Sequence, residues 1–116
     1  MRKESLEVWS WTLQRITAIF LVFGMIVHFL VLHYIDVADK PVTFALVQER
    51  LQSAWWIVFD LLLLIAALYH ALNGIWSIVL DWNPGKLQRK LLGWSLSVIG
   101  IIALVIGIYT LTPFAS

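Results

Sequence analysis

Residues 54–80 read AWWIVFDLLLLIAALYHALNGIWSIVL. This run is longer than the roughly 20 apolar residues a helix needs to cross a bilayer. Its polar interruptions are Asp60, His70, Asn73 and Ser77, with Gly74 among them. Two similar runs flank it. Residues 16–32 are broken only by Thr17, Gly24 and His28, and residues 91–111 only by small or weakly polar side chains. In lipid, backbone N–H and C=O groups must be satisfied inside the segment, so each run is expected to be a helix. Strands of a membrane barrel alternate polar and apolar residues, and these runs do not. The expected fold class is an all-α membrane protein with three transmembrane helices, over about 12–35, 54–81 and 91–112, forming one transmembrane domain across 1–116.

Composition points the same way. Of 116 residues, 61% are hydrophobic and 13% charged, and mean hydropathy is +0.88. Soluble domains are about half apolar and about a quarter charged. A soluble enzyme, a disordered chain and a nucleic-acid-binding domain are therefore excluded. Net charge is +1, too small for a long-range field toward a polyanion. The chain has no cysteine, so disulfides, thiolate metal sites, iron–sulfur ligation and a cysteine nucleophile are excluded too.

The first run has a long polar lead and no small-x-small cleavage site before His33, Tyr34 and Asp36, so it is read as a retained helix. Basic residues give the orientation. Arg2, Lys3 and Arg15 lie at the N-terminal end, and Lys86, Arg89 and Lys90 in the second loop. The first loop has only Lys40 and Arg50, among Asp36, Asp39 and Glu49, and the C-terminal tail has no charged side chain. The N-terminus is expected to be cytoplasmic and the C-terminus outside. Trp9, Trp11, Trp55, Trp56, Trp82 and Trp94 lie near the span ends, as an aromatic belt requires. In the first loop, residues 43–53 form an amphipathic stretch. Phe44, Leu46, Val47 and Leu51 are expected on the membrane surface, with Gln48, Glu49 and Arg50 facing water. Asn83-Pro84-Gly85 is a strong helix stop and turn. Three helices enclose little interior, so a partner subunit is expected.

Ionisable side chains within spans are costly and are functional candidates by default. His70 lies about 16 Å from Asp81 along its helix. It shares a face with Ala66, Ala67, Gly74 and Ser77. Small residues around one histidine leave room for a flat, bulky group, and a neutral imidazole is a good axial ligand for haem iron. The competing reading is a histidine that hydrogen-bonds across helices while the small residues allow close packing. His28, late in the first span, is a candidate for a second haem; the sequence leaves open whether His28 and His70 approach one haem. His33 reads as a wetted interface residue. Asp81, Trp82 and Arg15 fall at one membrane boundary. Together they suit a lipid-soluble redox substrate; singly they read as interfacial anchors. Asp60 pairs with a partner chain or reaches the outer interface, and Asn73 is a candidate for a hydrogen bond between helices. Gly100 and Gly107 suit close helix packing.

Three features together resemble a known family: Trp11-x-x-Gln14-Arg15-Ile16-Thr17-Ala18 opening the first span, His70-Ala-Leu-Asn-Gly74-Ile-Trp76 in the second, and Asp81-Trp82 closing it before a basic loop. Their order and spacing are similar to the small cytochrome b membrane-anchor subunits of succinate dehydrogenase (respiratory complex II), most like the D-type anchor. The resemblance covers nearly the whole chain. It implies a multi-pass subunit of the inner (cytoplasmic) membrane, partnered by a flavoprotein, an iron–sulfur protein and a second cytochrome b anchor, with membrane lipid around it. It implies haem b, one or two shared with the second anchor, and quinone as substrate. Carried over by position, His70 matches the haem ligand, His28 the histidine of two-haem members, Arg15 an arginine near the haem propionates and quinone, and Asp81 an aspartate near the quinone. Trp82 stands where a quinone-binding tyrosine often occurs. Indole can donate a hydrogen bond but is not an acid. The alternatives are a fumarate reductase anchor, whose direction sequence does not decide, and a structural membrane subunit without cofactor.

Overall fold

The computed structural model describes residues 3–35 and 41–112. Arg2, Asp36, Asp39, Lys40 and the tail after Thr112 lie outside the described residues. Four α-helices follow in order: α1 (Lys3–Leu30), α2 (Phe44–Leu51), α3 (Ala54–Asp81) and α4 (Lys86–Leu111). A π-helical turn, Val31–Ile35, extends α1. There is no strand among the described residues. Helices α1 with its extension, α3 and α4 are each long and apolar enough to cross a membrane. The protein is an all-α, multi-pass membrane protein.

Helix α1 begins at Lys3 and α4 at Lys86, earlier than the apolar runs alone suggest. Hydropathy marks the stretch in lipid, whereas a helix continues while its residues favour it. Glu4, Leu6 and Glu7 are good helix formers, and no Gly or Pro breaks residues 3–15. Between α3 and α4 the chain turns at Asn83, whose φ of 51° is the left-handed conformation Asn tolerates after a helix. Gly85 then caps α4, and its N–H donates to Gln88 Oε1 at 3.2 Å. At the other end of the molecule, Thr43 Oγ1 accepts from Leu46 N at 3.2 Å and opens α2.

Helix α3 is the middle of the molecule, with α1 and α4 both packed against it. The whole measures 52 × 26 × 25 Å. So slender an arrangement buries little. Leu63, Ala66 and Val79 on α3, Val31 and Leu51 form the buried apolar set. Outward faces carry Ile19, Phe23, Ile101 and Val105, each about 60% exposed. A patch of this size is stable only against lipid or another membrane chain.

Leucines of α3 fill glycine gaps on both neighbours. A Cβ on Gly24 would lie 2.8 Å from Leu63 Cδ2, and one on Gly100 2.5 Å from Leu72 Cδ1. Gly107 faces Leu64 in the same way. Between membrane helices, close packing replaces the hydrophobic driving force. Overpacking this seam with Gly100→Leu is expected to cost about 1–3 kcal/mol. Denaturant unfolding in detergent measures it, and an unchanged midpoint contradicts the packing.

Helix α2 corrects two expectations: Leu51 is buried against the bundle and not on the membrane surface, and Arg50 turns inward. Arg50 does not face water: its side chain is 6% exposed, and Leu51 beside it is 2% exposed. The reason is Asp60 on α3, whose carboxylate draws the guanidinium inward. Phe44 does lie on the surface, at 64% exposure.

Candidate functional site

Polar side chains on α1 recur at Ser10, Gln14 and Thr17, spaced i, i+4, i+7. On α3 they recur at His70, Asn73 and Ser77, spaced i, i+3, i+7. Each set makes one stripe along a helix. The two helices run antiparallel, and the stripes meet. Ser10 Oγ donates to Asn73 Oδ1 at 2.8 Å, and Asn73 Nδ2 donates to Gln14 Oε1 at 2.9 Å. Gln14 Nε2 donates to the backbone carbonyl of His70 at 3.2 Å. Asn73 therefore joins the helices as expected. The roles of Ser10, Gln14 and Thr17 were not foreseen, although their helical spacing is visible in the sequence. Hydrogen bonds between membrane helices average about 0.6 kcal/mol and reach about 1.7. Asn73→Leu removes two partners at once and is expected to destabilise by about 1–2 kcal/mol. Unfolding in detergent measures this, and a neutral result contradicts the seam.

The imidazole of His70 has one neighbour in this seam: Thr17 Oγ1, 3.2 Å from Nδ1. That hydroxyl has a single proton. It lies 2.7 Å from the Leu13 carbonyl and 3.1 Å from that of Gln14, so the proton is given to backbone. Toward His70 the oxygen can only accept. This network assigns Nδ1 as the ring's donor toward Thr17, and in the neutral tautomer so assigned the lone pair lies on Nε2. No hydrogen-bond partner of Nε2 is found among the described residues. A histidine held this way offers Nε2 to a metal.

His70 lines a cleft of about 770 Å³ between α1 and α3, shared with Trp11, Arg15 and Ala18. Lys3 and Arg89 also line it, so three cations border the cleft, with Glu7 as the carboxylate. Arg15 is exposed, and its guanidinium carbon sits 4.4 Å from the Trp11 ring centroid. The cleft thus joins one nitrogen ligand, apolar walls and a cationic rim. No three His, Asp or Glu residues gather to hold a bare metal ion among the described residues. His70 supplies one ligand, and any other must come from elsewhere.

His70 and Arg15 are brought together; the other candidates are placed apart from them. Asp81 is exposed and makes no hydrogen bond or ion pair among the described residues. It lies about three turns from His70 on the same face of α3. Trp82 is turned away and is 78% exposed. It lines a separate groove of about 410 Å³ with Val79, Pro84 and Leu92. His28 belongs to the opposite end of the bundle. Its Nε2 is 3.9 Å from Asp60 Oδ1, and Arg50 Nη2 donates to Asp60 Oδ2 at 3.4 Å. Arg50 also lies over the Trp56 ring, at 5.3 Å. Asp60 is ten residues and about 15 Å along α3 from His70, so the two histidines occupy different sites. His33, in the π-helical turn, is exposed against the Phe29 ring at 4.6 Å.

Residues 1–110 match the succinate dehydrogenase/fumarate reductase transmembrane subunit family. The chain belongs to this family. Among its relatives, the succinate dehydrogenase hydrophobic membrane anchor subunit of Thermoplasma acidophilum is 33% identical over 94 residues, which is 81% of this chain and 76% of that one. The subunit of the same description from Archaeoglobus fulgidus is 29% identical over 109 residues, 94% and 92% of the two chains. The succinate dehydrogenase 2 membrane subunit SdhC of Mycobacterium tuberculosis is 29% identical over 99 residues, 84% and 71%. Three spanning helices with exposed apolar faces fit a transmembrane subunit of this family.

Proposed function

We propose that this chain anchors a succinate:quinone oxidoreductase in the cytoplasmic membrane, with His70 Nε2 as one axial ligand of haem b. The proposal rests on the hydrogen bond that leaves Nε2 free beside a cleft of ligand size. Binding pockets span roughly 300–1,000 Å³, and the cleft is about 770 Å³. Arg15, Lys3 and Arg89 on its rim suit the two propionates of a haem. Because the chain offers one ligand here, the second comes from a companion anchor subunit, which the bare faces of α1 and α4 have room to meet.

When bound, haem b supplies reversible one-electron storage close to the quinone. The residues of this chain do the rest. His70 would hold the iron through Nε2. Arg15, level with His70, would neutralise the propionate carboxylates at the cleft. Trp82 can donate its indole N–H to a quinone carbonyl but cannot give up a proton. Proton transfer on reduction falls to the Asp81 carboxylate and to water. By the distribution of basic residues this end faces the cytoplasm, where a flavoprotein and an iron–sulfur subunit deliver electrons from succinate. A second haem on His28 would take the Nε2 that lies 3.9 Å from Asp60 Oδ1, at the opposite end of the bundle.

The same family description covers fumarate reductase, and the reverse reaction is the second reading. The test is to purify the complete complex and assay both directions with matched quinones, alongside a pyridine haemochrome. Succinate-dependent quinone reduction by a complex with a b-type spectrum is expected. A colourless complex that still reduces quinone overturns the haem assignment, and fumarate reduction as the dominant activity favours the second reading.

A further inference from the structure

We propose that Thr17 is the positioning residue for the haem ligand: its hydroxyl oxygen accepts the His70 Nδ1 proton, fixes the imidazole tautomer and raises the donor strength of Nε2. This rests on the reading of His70 as a haem ligand and adds a residue from another helix to it.

The argument starts from one proton and three neighbours. Thr17 Oγ1 is 2.7 Å from Leu13 O, 3.1 Å from Gln14 O and 3.2 Å from His70 Nδ1. If the hydroxyl donated to His70, its oxygen would face the Leu13 carbonyl at 2.7 Å with no hydrogen between them, two acceptors in repulsion. Donation to the carbonyl removes that conflict and strengthens the oxygen as an acceptor, because hydrogen bonds in a chain polarise one another. Both partners of Thr17 are thereby fixed.

Other polar residues of the seam do not reach the ring. Gln14 meets the backbone carbonyl of His70, and Asn73 meets Ser10 and Gln14. Thr17 alone, among the described residues, hydrogen-bonds the imidazole. Its γ-methyl plays no part in this bond, so serine can replace it and valine, of similar shape, cannot. An imidazole whose N–H is accepted by oxygen is a more basic ligand. A more basic ligand favours ferric over ferrous iron and lowers the haem potential, one of the levers by which a protein tunes haem.

The experiment is a redox titration of the haem optical spectrum in the intact complex carrying Thr17→Val or Thr17→Ser, with haem content measured by pyridine haemochrome. Thr17→Val is expected to shift the midpoint potential upward, or to lower haem content, while Thr17→Ser matches the wild type in both. The proposal is overturned if Thr17→Val matches the wild type in potential and content, or if Thr17→Ser is altered as much as Thr17→Val. A wild-type complex without haem, or a His70→Ala complex that retains its full haem, instead removes the ligand reading and this proposal with it. The His70→Ala control separates the two failures.

Discussion

If His70 ligates haem as proposed, replacing it with alanine is expected to take bound protohaem per complex from the wild-type value to nearly zero where one haem is present. No other histidine lines the cleft: its remaining basic groups are Lys3, Arg15 and Arg89. His28 cannot substitute, being about 15 Å away along the bundle. The seam should survive, because Gln14 bonds the backbone of residue 70 and not its ring. The complex should therefore assemble with its other subunits, and imidazole added in solution should partly restore the spectrum by entering the vacated space. Pyridine haemochrome and the reduced-minus-oxidised difference spectrum measure the loss. Full haem content in the alanine variant contradicts the assignment.

The second large effect lies at the opposite end of the bundle. Asp60→Ala leaves the Arg50 guanidinium buried without its counter-ion. The side chains of Arg50 and Asp60 are 6% and 13% exposed, and Arg50 Nε and Nη1 already have no hydrogen-bond partner. Among the described residues no other acceptor reaches these two nitrogens. Removing one member of a buried ion pair costs about 3–5 kcal/mol. Loss of the pair also frees α2 from α3, since Arg50 is the charged tie between them. Replacing both residues with leucine is expected to recover most of that loss, because apolar replacement of a whole buried pair is often neutral or better. Unfolding of the two single variants and the double variant in detergent tests this. Asp60→Ala within about 0.5 kcal/mol of wild type, as at ordinary surface sites, contradicts it.

Much of this architecture can be read before any coordinates. The spans are legible because lipid leaves the backbone only one economical form over runs this long, and Asn83-Pro84-Gly85 punctuates two of them. Asn73 was readable as a tie between helices because an amide in lipid must find a partner. The register between helices was not readable. Nothing in the linear order says that residue 17 lies beside residue 70, or residue 28 beside residue 60. For that reason Thr17 looked like a weakly polar interruption, although its 10-14-17 spacing with Ser10 and Gln14 marked a stripe. Arg50 misled for a related reason. The pattern of α2 alone places it toward water, and the carboxylate that turns it inward sits on another helix. The shared depth expected of Asp81, Trp82 and Arg15 does not hold: α1 starts well before Arg15 and runs antiparallel to α3, so Arg15 lies level with His70, about three turns from Asp81, and Trp82 faces a different groove.

The most direct test of the central claim is low-temperature electron paramagnetic resonance of the oxidised complex, comparing wild type with His70→Met. If His70 ligates the haem, the wild type gives a low-spin ferric signal of two imidazole ligands, and His70→Met changes it to that of a methionine–imidazole or high-spin haem. An identical low-spin signal in both proteins contradicts the claim.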